Sequence, residues 1–260
     1  MEEGLIHRRR IFMYSPESLA KGLPAERIFV RHPALDSALA AFDRIYQLAQ
    51  ATSMPHGMVL VGETGTGKSS LVRYFRSSLP PSTTCDEQTD ALLVRLQERP
   101  NLGRMISSLL RQVRYPFANV TKGTVSLKKD TLIDALRQKR TRLIFVDEAQ
   151  HLMLGALRRN AAESHSELTE FLRELMDESQ VAIVLVGTAT LDDVRASDRH
   201  LGARVTGRIE LNSFEGAHFV AFLRAFAKQC KSFPLTKTDL AASEASLMAG
   251  RGGNPRALKR

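Results

Sequence analysis

The chain has 260 residues and a formal net charge of +9 at pH 7, and this length suffices for one large domain with a small appendage. It has no apolar run near the ~20 residues that a bilayer span needs, and its two cysteines, Cys85 and Cys230, lack the spacing of a disulfide framework or a metal site. The composition excludes an integral membrane protein and a disulfide scaffold, and it predicts a cytoplasmic protein with free thiols.

Residues 1–32 form the first segment in chain order. They show little helical periodicity, and we expect an N-terminal arm that carries the triplet Arg8-Arg9-Arg10. A helix is predicted over residues 33–50, because Pro33 stands at the start of a pattern whose apolar residues fall on one face. This helix opens the main domain, which we expect to extend over residues 33–212.

A phosphate-binding loop is predicted at residues 62–69, which read GETGTGKS. An apolar run that predicts a strand precedes it, and a helical pattern follows it. Glycines let backbone N–H groups approach phosphate oxygens, Lys68 would reach the β- and γ-phosphates of ATP, and the Ser69 hydroxyl would hold Mg²⁺. The predicted nucleotide-binding residues are Gly62, Thr64, Gly65, Thr66, Gly67, Lys68, Ser69 and Ser70.

Two carboxylates follow the apolar run at residues 143–146. A buried parallel strand presents the residues at its carboxyl end to the ligand side of a sheet, so Asp147 and Glu148 are expected beside the phosphates. Asp147 would bind Mg²⁺ through its water shell, and Glu148 would be the base that activates the attacking water. Together with the loop, these residues predict an ATPase.

Another strand is predicted over residues 181–186, and Thr188 follows it closely. If this strand lies between the other two, Thr188 could align the attacking water; the alternative is a residue that caps the next segment. With further strands at 91–96 and 208–211, the pattern predicts an α/β fold of the P-loop type, in which helices cover both faces of a parallel sheet.

The alternation of strand and helix stops after Leu211. Residues 215–230 and 236–249 predict two helices, and a turn at 252–256 opens a third. We therefore expect residues 213–260 to form a small all-helical lid over the nucleotide, either unusually short or truncated.

The positive charge is concentrated in two blocks. Residues 101–142 hold ten Lys or Arg against two acids, and residues 201–260 hold ten against four. Such blocks fit a polyanionic partner, although solvated helix faces would give the same count.

A loop is predicted at residues 115–129, where cations and a hydroxyl suit contacts to DNA phosphates rather than to bases. The candidate DNA-binding residues are Lys122, Thr124, Lys128 and Lys129, and the triplet Arg8-Arg9-Arg10 is the rival site.

The motif set resembles an AAA+ ATPase, and in particular the TniB/TnsC branch, whose members regulate DNA transposition. The similarity covers about residues 25–260. It rests on the loop at 62–69, IFVRHP at 28–33, FVDEAQH at 145–151, VGT at 186–188, an Arg-bearing segment at 201–208 and GGNPR at 252–256.

The resemblance implies further roles. Arg204 would be the arginine finger that completes the ATP site of a neighbouring subunit, with Arg208 as the second candidate; a surface ion pair is the alternative for Arg204. Arg256 would be a second sensor that touches the γ-phosphate from the lid, and its alternative is a surface Arg at a helix start. Members of the family coil as a filament around duplex DNA, with a loop near residues 115–130 on the inner face.

The resemblance predicts an ATP-dependent regulator of transposition. It would assemble on duplex target DNA as a homo-oligomer, either a hexamer-like ring or a helical filament, work with a target-selection protein, recruit the transposase, and disassemble on hydrolysis. The alternative is a loader or motor ATPase of helicase-loader or secretion type that acts on a protein partner. A threading motor would usually carry an aromatic and hydrophobic pore loop, whereas the corresponding stretch here is basic and hydroxylated. A scaffold that does not hydrolyse ATP is disfavoured by the intact Lys68, Asp147 and Glu148.

Overall fold

The computed structural model describes residues 28–52, 54–79, 89–116, 124–152, 167–213 and 216–229. The chain divides into two compact units, Pro33–Asn212 and a second one that contains Met1–His32 and Ser213–Arg260. The strands are β1 (Gly57–Gly62), β2 (Ala91–Arg95), β3 (Leu143–Asp147), β4 (Ala182–Gly187) and β5 (Val205–Leu211). The helices are α1 (Pro33–Ala51), α2 (Lys68–Ser78), α3 (Leu102–Gln112), α4 (Val125–Gln138), α5 (Glu167–Ser179), α6 (Leu191–Ser197), α7 (Arg199–Arg204) and α8 (Gly216–Gln229).

The five strands form one parallel sheet in the order β2-β3-β4-β1-β5. β4 therefore separates β1, which leads into the phosphate loop, from β3, which ends at Asp147. The register pairs Asp147 with Val186 and Val61 with Gly187, so these three strands end at one edge of the sheet. The predicted α/β fold of the P-loop type is confirmed.

Apolar strands and two helical layers build the core of the larger unit. β3 and β4 are buried along their whole length, as expected for parallel strands covered on both faces. On one face, Val59 and Ile144 join a cluster with the buried side chains of α3, α4 and α5. On the other face, the Phe145 ring contacts Phe42 of α1 and Phe75 of α2, with ring centroids 5.1 and 5.7 Å apart. The result is a three-layer arrangement.

The two edge strands differ in how they end the sheet. On β2, the Gln112 side chain accepts from the Leu93 N–H at 3.0 Å and donates to the Leu93 carbonyl at 2.7 Å. It therefore pairs both backbone groups of Leu93, as a further strand would. β5 begins at Val205, three residues before the predicted start. Along β5, exposed positions alternate with buried or half-buried ones, so the sequence lacks a continuous apolar run here.

The smaller unit contains α8 and the short segment before α1. Val30 is buried with Phe219, Phe222, Leu223 and Phe226, whose spacing places them on one face of the helix. The end of the predicted arm thus packs on the start of the predicted lid. The remainder of the lid, with the turn at 252–256, lies outside the described residues. Within the part of the chain that is described, no helix combines the length and the apolar character needed to cross a membrane.

A core substitution tests this packing. Phe42 is fully buried between Phe75 and Phe145, and Phe42→Ala should lower the free energy of unfolding by about 3–5 kcal/mol, because it leaves a cavity. Leu48 lies on the same helix and is 45% exposed, so Leu48→Ala should change it by less than about 1 kcal/mol. Urea titration followed by circular dichroism measures both values. Equal losses in the two variants would contradict the assigned packing.

Candidate functional site

The predicted phosphate loop lies at the carboxyl edge of the sheet, between β1 and α2. Gly65 and Gly67 adopt φ angles of 95° and 98°, a left-handed conformation that favours glycine. The Leu71 N–H donates to the Gly67 carbonyl at 2.8 Å, so α2 starts directly at the loop and Ser70 lies in its first turn. The loop is closed internally by the Thr66 hydroxyl, which donates to the Glu63 carbonyl at 2.9 Å. Backbone N–H groups at this helix start can bind an anion.

The Lys68 ammonium lies inside this loop. Its Nζ donates to the backbone carbonyls of Gly62 and Glu63, both at 2.7 Å. Burial lowers the pKa of Lys68, and the carboxylates of Asp147, Glu148 and Glu63 oppose that shift. The charge is therefore held at the point where the phosphates of a nucleotide would enter, and a phosphate oxygen could replace either carbonyl.

A hydrogen bond joins the two sequence motifs. The Ser69 hydroxyl donates to Asp147 Oδ2 at 2.9 Å, and the Glu148 N–H donates to Asp147 Oδ1 at 3.0 Å. Asp147 is 7% exposed. A hydroxyl and a buried carboxylate next to a phosphate loop are the hard oxygen ligands that Mg²⁺ prefers, so these residues fit the ion.

Glu148 is held by two donors at the same edge. Arg95 Nη2 donates to its Oε1 at 2.9 Å, and Gln150 Nε2 donates to its Oε2 at 2.6 Å. Partial burial opposes ionisation, but the hydrogen bonds from Gln150 and Arg95 hold the pKa of Glu148 below its ordinary value. The carboxylate is thus charged at neutral pH and can accept a proton.

Sequence reasoning missed Arg95 and Gln150. Arg95 is the last residue of β2 and pairs in register with Asp147, so the strand order and this register together place it at this edge. Gln150 lies two residues after Glu148, but nothing in the sequence shows that the chain turns back there.

Thr188 follows β4, between the two motifs. Its hydroxyl lies 2.9 Å from the hydroxyl of Thr190, at the start of α6. The strand order gives it the position that a water-aligning residue would need. Its role toward a nucleotide stays a prediction.

Both finger candidates make ion pairs within the subunit. Arg204, the last residue of α7, lies 2.7 Å from Asp177 of α5 through its Nη2 atom. Arg208 pairs with Asp192 at 3.1 Å and with Glu210 at 2.8 Å. Either side chain would have to exchange these partners before it reached a neighbouring subunit.

The candidate DNA-binding residues separate into different environments. The predicted loop at 115–129 is wrong at its end, because α4 begins at Val125 and includes Lys128 and Lys129. The Thr124 hydroxyl caps this helix by accepting from the Leu127 N–H at 3.4 Å, and the capping Thr explains the early start.

Lys129 is committed to contacts inside the subunit. Its Nζ lies 2.8 Å from Glu174 and 5.4 Å from the centre of the Phe171 ring, both on α5. Its side chain is 22% exposed. It therefore joins α4 to α5. Its neighbour Lys128 is half-buried and makes no ion pair with any other residue that the structure describes. Lys122, Arg256 and the triplet Arg8-Arg9-Arg10 lie outside the described residues.

Solved structures of similar fold support the architecture. Two are from Aeropyrum pernix: ORC1 in complex with DNA has a TM-score of 0.62 at 17% identity and covers 88% of this chain and 58% of that chain. ORC2 in its ADPNP–ADP complexes has a TM-score of 0.58 at 16% identity, over 88% of this chain and 67% of that chain. Cdc6p from Pyrobaculum aerophilum has a TM-score of 0.56 at 16% identity, over 88% and 65%.

Sequence comparison gives a family and one curated relative. The general secretion pathway protein A of Aeromonas hydrophila is 28% identical over 169 residues, which are 64% of this chain and 29% of that protein. This chain thus spans less than a third of that relative. The family described as bacterial TniB protein matches residues 23–214, which include the loop, both carboxylates and Thr188. Because this match covers most of the chain, the protein belongs to the TniB family.

Proposed function

We propose that the protein is an ATP-dependent, DNA-binding regulator of transposition that assembles as an oligomer on target DNA. In this account it recruits a transposase under the direction of a target-selection protein, and ATP hydrolysis releases it. The observation that carries the proposal is the 2.9 Å contact between Ser69 and Asp147, which brings the phosphate loop and the carboxylates together in a chain of the TniB family. Such a protein would act in the cytoplasm, where its DNA lies.

We assign the steps of hydrolysis to the residues at the sheet edge. The loop N–H groups and Lys68 would bind the phosphates of ATP, and Ser69 and Asp147 would hold Mg²⁺, which neutralises phosphate charge. Glu148 would take a proton from water while the water oxygen bonds to the γ-phosphorus. The bond from that phosphorus to the β–γ bridging oxygen breaks, and ADP leaves with that oxygen. Thr188 would orient the water, and Arg256 would contact the γ-phosphate.

We further propose that a neighbouring subunit supplies Arg204 to this site. Arg204 ends the helix before β5 and is the more buried of the two candidates, with 22% of its side chain exposed against 38% for Arg208. Assembly would replace the pair with Asp177 by a contact to the γ-phosphate. An added positive charge there stabilises the transition state, so hydrolysis would depend on assembly.

DNA binding is assigned to the basic segment before β3. The ORC1 relative from Aeropyrum pernix was solved in complex with DNA, which supports a nucleic-acid partner for this fold. We place the contacts to DNA phosphates on Lys122, Thr124 and Lys128. Lys129 is assigned a role in stabilising the fold, because Glu174 already neutralises it. One or two phosphate contacts per subunit are weak, so affinity would come from many subunits on one duplex.

The match to a secretion protein favours a second candidate, an ATPase that acts on a protein partner. DNA is favoured as the partner by the net charge of +9 and by the basic block at residues 101–142, because a polyanion neutralises such a surface. The DNA measurement below separates the two candidates.

Two substitutions test the nucleotide roles. Lys68→Ala should abolish ATP binding, because it removes the cation inside the loop. Glu148→Gln should keep ATP binding and lose hydrolysis by about 100-fold or more, because an amide cannot accept the proton. Titration with a fluorescent ATP analogue and phosphate release measure the two properties. Hydrolysis by Glu148→Gln at the parental rate would show that another group is the base.

A mixing experiment tests the arginine finger. Arg204→Ala should bind ATP normally and hydrolyse it slowly, and adding Lys68→Ala should restore part of the activity. In the mixture, the intact Arg204 of one variant meets the intact loop of the other. Phosphate release at fixed total protein measures the recovery. Recovery only when Arg208→Ala replaces Arg204→Ala would move the role to Arg208, and none with either would exclude a finger in trans.

Neighbouring lysines test the DNA interface. Lys128→Ala and Lys122→Ala should weaken ATP-dependent binding to duplexes of any sequence. Each should also lower the number of counterions released on binding, which the salt dependence of the affinity reports, by about one per site. Lys129→Ala should instead lower the free energy of unfolding by about 1 kcal/mol and leave DNA affinity nearly unchanged. Fluorescence anisotropy at several salt concentrations measures this.

The same titration includes a chain without residues 1–12, which tests the rival arginine triplet. Loss of binding in that chain, with parental affinity in Lys122→Ala and Lys128→Ala, would move the interface to the arm. Absence of ATP-dependent DNA binding in the parent would favour a protein partner.

A further inference from the structure

The segment after Glu148 forms a tight turn against the end of β4. The Glu148 backbone has a φ of 56°, which is uncommon for any residue but glycine. The Ala149 N–H donates to the Val186 carbonyl at 2.9 Å, and the His151 N–H donates to the Glu148 carbonyl at 3.1 Å. This turn brings the Gln150 side chain back toward the carboxylate that precedes it.

The Gln150 carboxamide is fixed in one orientation. Its Nε2 donates to Glu148 Oε2 at 2.6 Å. A flipped amide would bring two oxygens together, so only the donor can face the carboxylate. On the other side, its Oε1 atom is buried and has no hydrogen-bond partner among the described residues. A buried acceptor without a donor is unfavourable, and structures rarely keep one unless the group serves another purpose.

The end of β4 leaves space for this carboxamide. A Cβ atom on residue 187 would lie 2.3 Å from Gln150 Oε1, closer than real contacts allow. Gly187 therefore permits the observed position of the amide, and a side chain there would displace it.

The two donors to Glu148 differ in character. Arg95 is a long side chain, 71% exposed, and can exchange its contact for water. Gln150 reaches Oε2 from a short turn that is hydrogen-bonded to the sheet. Oε2 is thus the fixed oxygen and Oε1 the exchangeable one.

We propose that Gln150 is a positioning residue for hydrolysis: it holds Oε2 of Glu148 so that Oε1 faces the attacking water. This inference rests on the proposed role of Glu148 as the base. Gln150 touches neither nucleotide nor water in this account, and it acts through the orientation of the carboxylate.

Gln150→Met tests the proposal, because Met has a similar length and no amide donor. We expect kcat for ATP hydrolysis to fall about 10–100-fold, the loss that is typical when a partner that orients a metal ligand is removed. KM for ATP, the affinity for an ATP analogue and the melting temperature should stay near parental values. A parental kcat would overturn the proposal.

A double-mutant cycle separates positioning from a structural role. Once Glu148→Gln has removed the base, Gln150→Met should have little further effect on the residual single-turnover rate. If Gln150→Met lowered the rate in the Glu148→Gln background by the same factor as in the parent, the proposal would be overturned. If Glu148→Gln alone hydrolysed ATP at the parental rate, Glu148 would not be the base. That conclusion does not depend on the result for Gln150→Met.

Gly187→Ala provides a second route should Gln150→Met not fold. Its methyl group must displace the Gln150 carboxamide, so it should lower kcat as well. In the Gln150→Ala background the obstructed oxygen is gone, and Gly187→Ala should add little. A parental kcat in Gly187→Ala would overturn the proposal.

Discussion

The hydrogen bond from the Ser69 hydroxyl to Asp147 joins two motifs 78 residues apart in the sequence. It forms because β1 and β3 are parallel, with only β4 between them, so both end at the same edge of the sheet. The phosphate loop supplies N–H groups and one cation at this edge, and β3 supplies the carboxylates. Every assigned step of ATP hydrolysis depends on that juxtaposition, and the fully buried strands β3 and β4 keep it fixed.

Much of this arrangement could be predicted from local patterns. The glycine-rich loop and the carboxylates at the end of an apolar run specify their chemistry within a few residues, and helical or strand periodicity places them. The contacts of Arg95 and Gln150 with Glu148 could not be predicted in this way. The first depends on the register between β2 and β3, and the second on a turn with an uncommon backbone angle.

The ion pairs of the charged side chains could not be predicted from the sequence either. A count of lysines and arginines treats each as available, but Lys129 is neutralised by Glu174, and Arg204 pairs with Asp177. These pairs join elements far apart in the chain, so only the fold reveals them. For Lys129 the pair is the reason that we assign this residue to the stability of the fold and not to the proposed DNA contacts. If Arg204 is the arginine finger, as proposed, the pair with Asp177 holds it inside the isolated subunit, and assembly must supply the free energy to exchange that partner.

Under the proposed function, the ATP site at this sheet edge is completed between subunits. The most direct test is the rate of phosphate release per subunit, measured at saturating ATP over a wide range of protein concentration, with and without duplex DNA. We predict a rate that rises steeply with concentration and reaches its plateau at lower concentration on DNA, because the duplex gathers the subunits. A rate per subunit that is constant over the whole range, and unaffected by DNA, would contradict it.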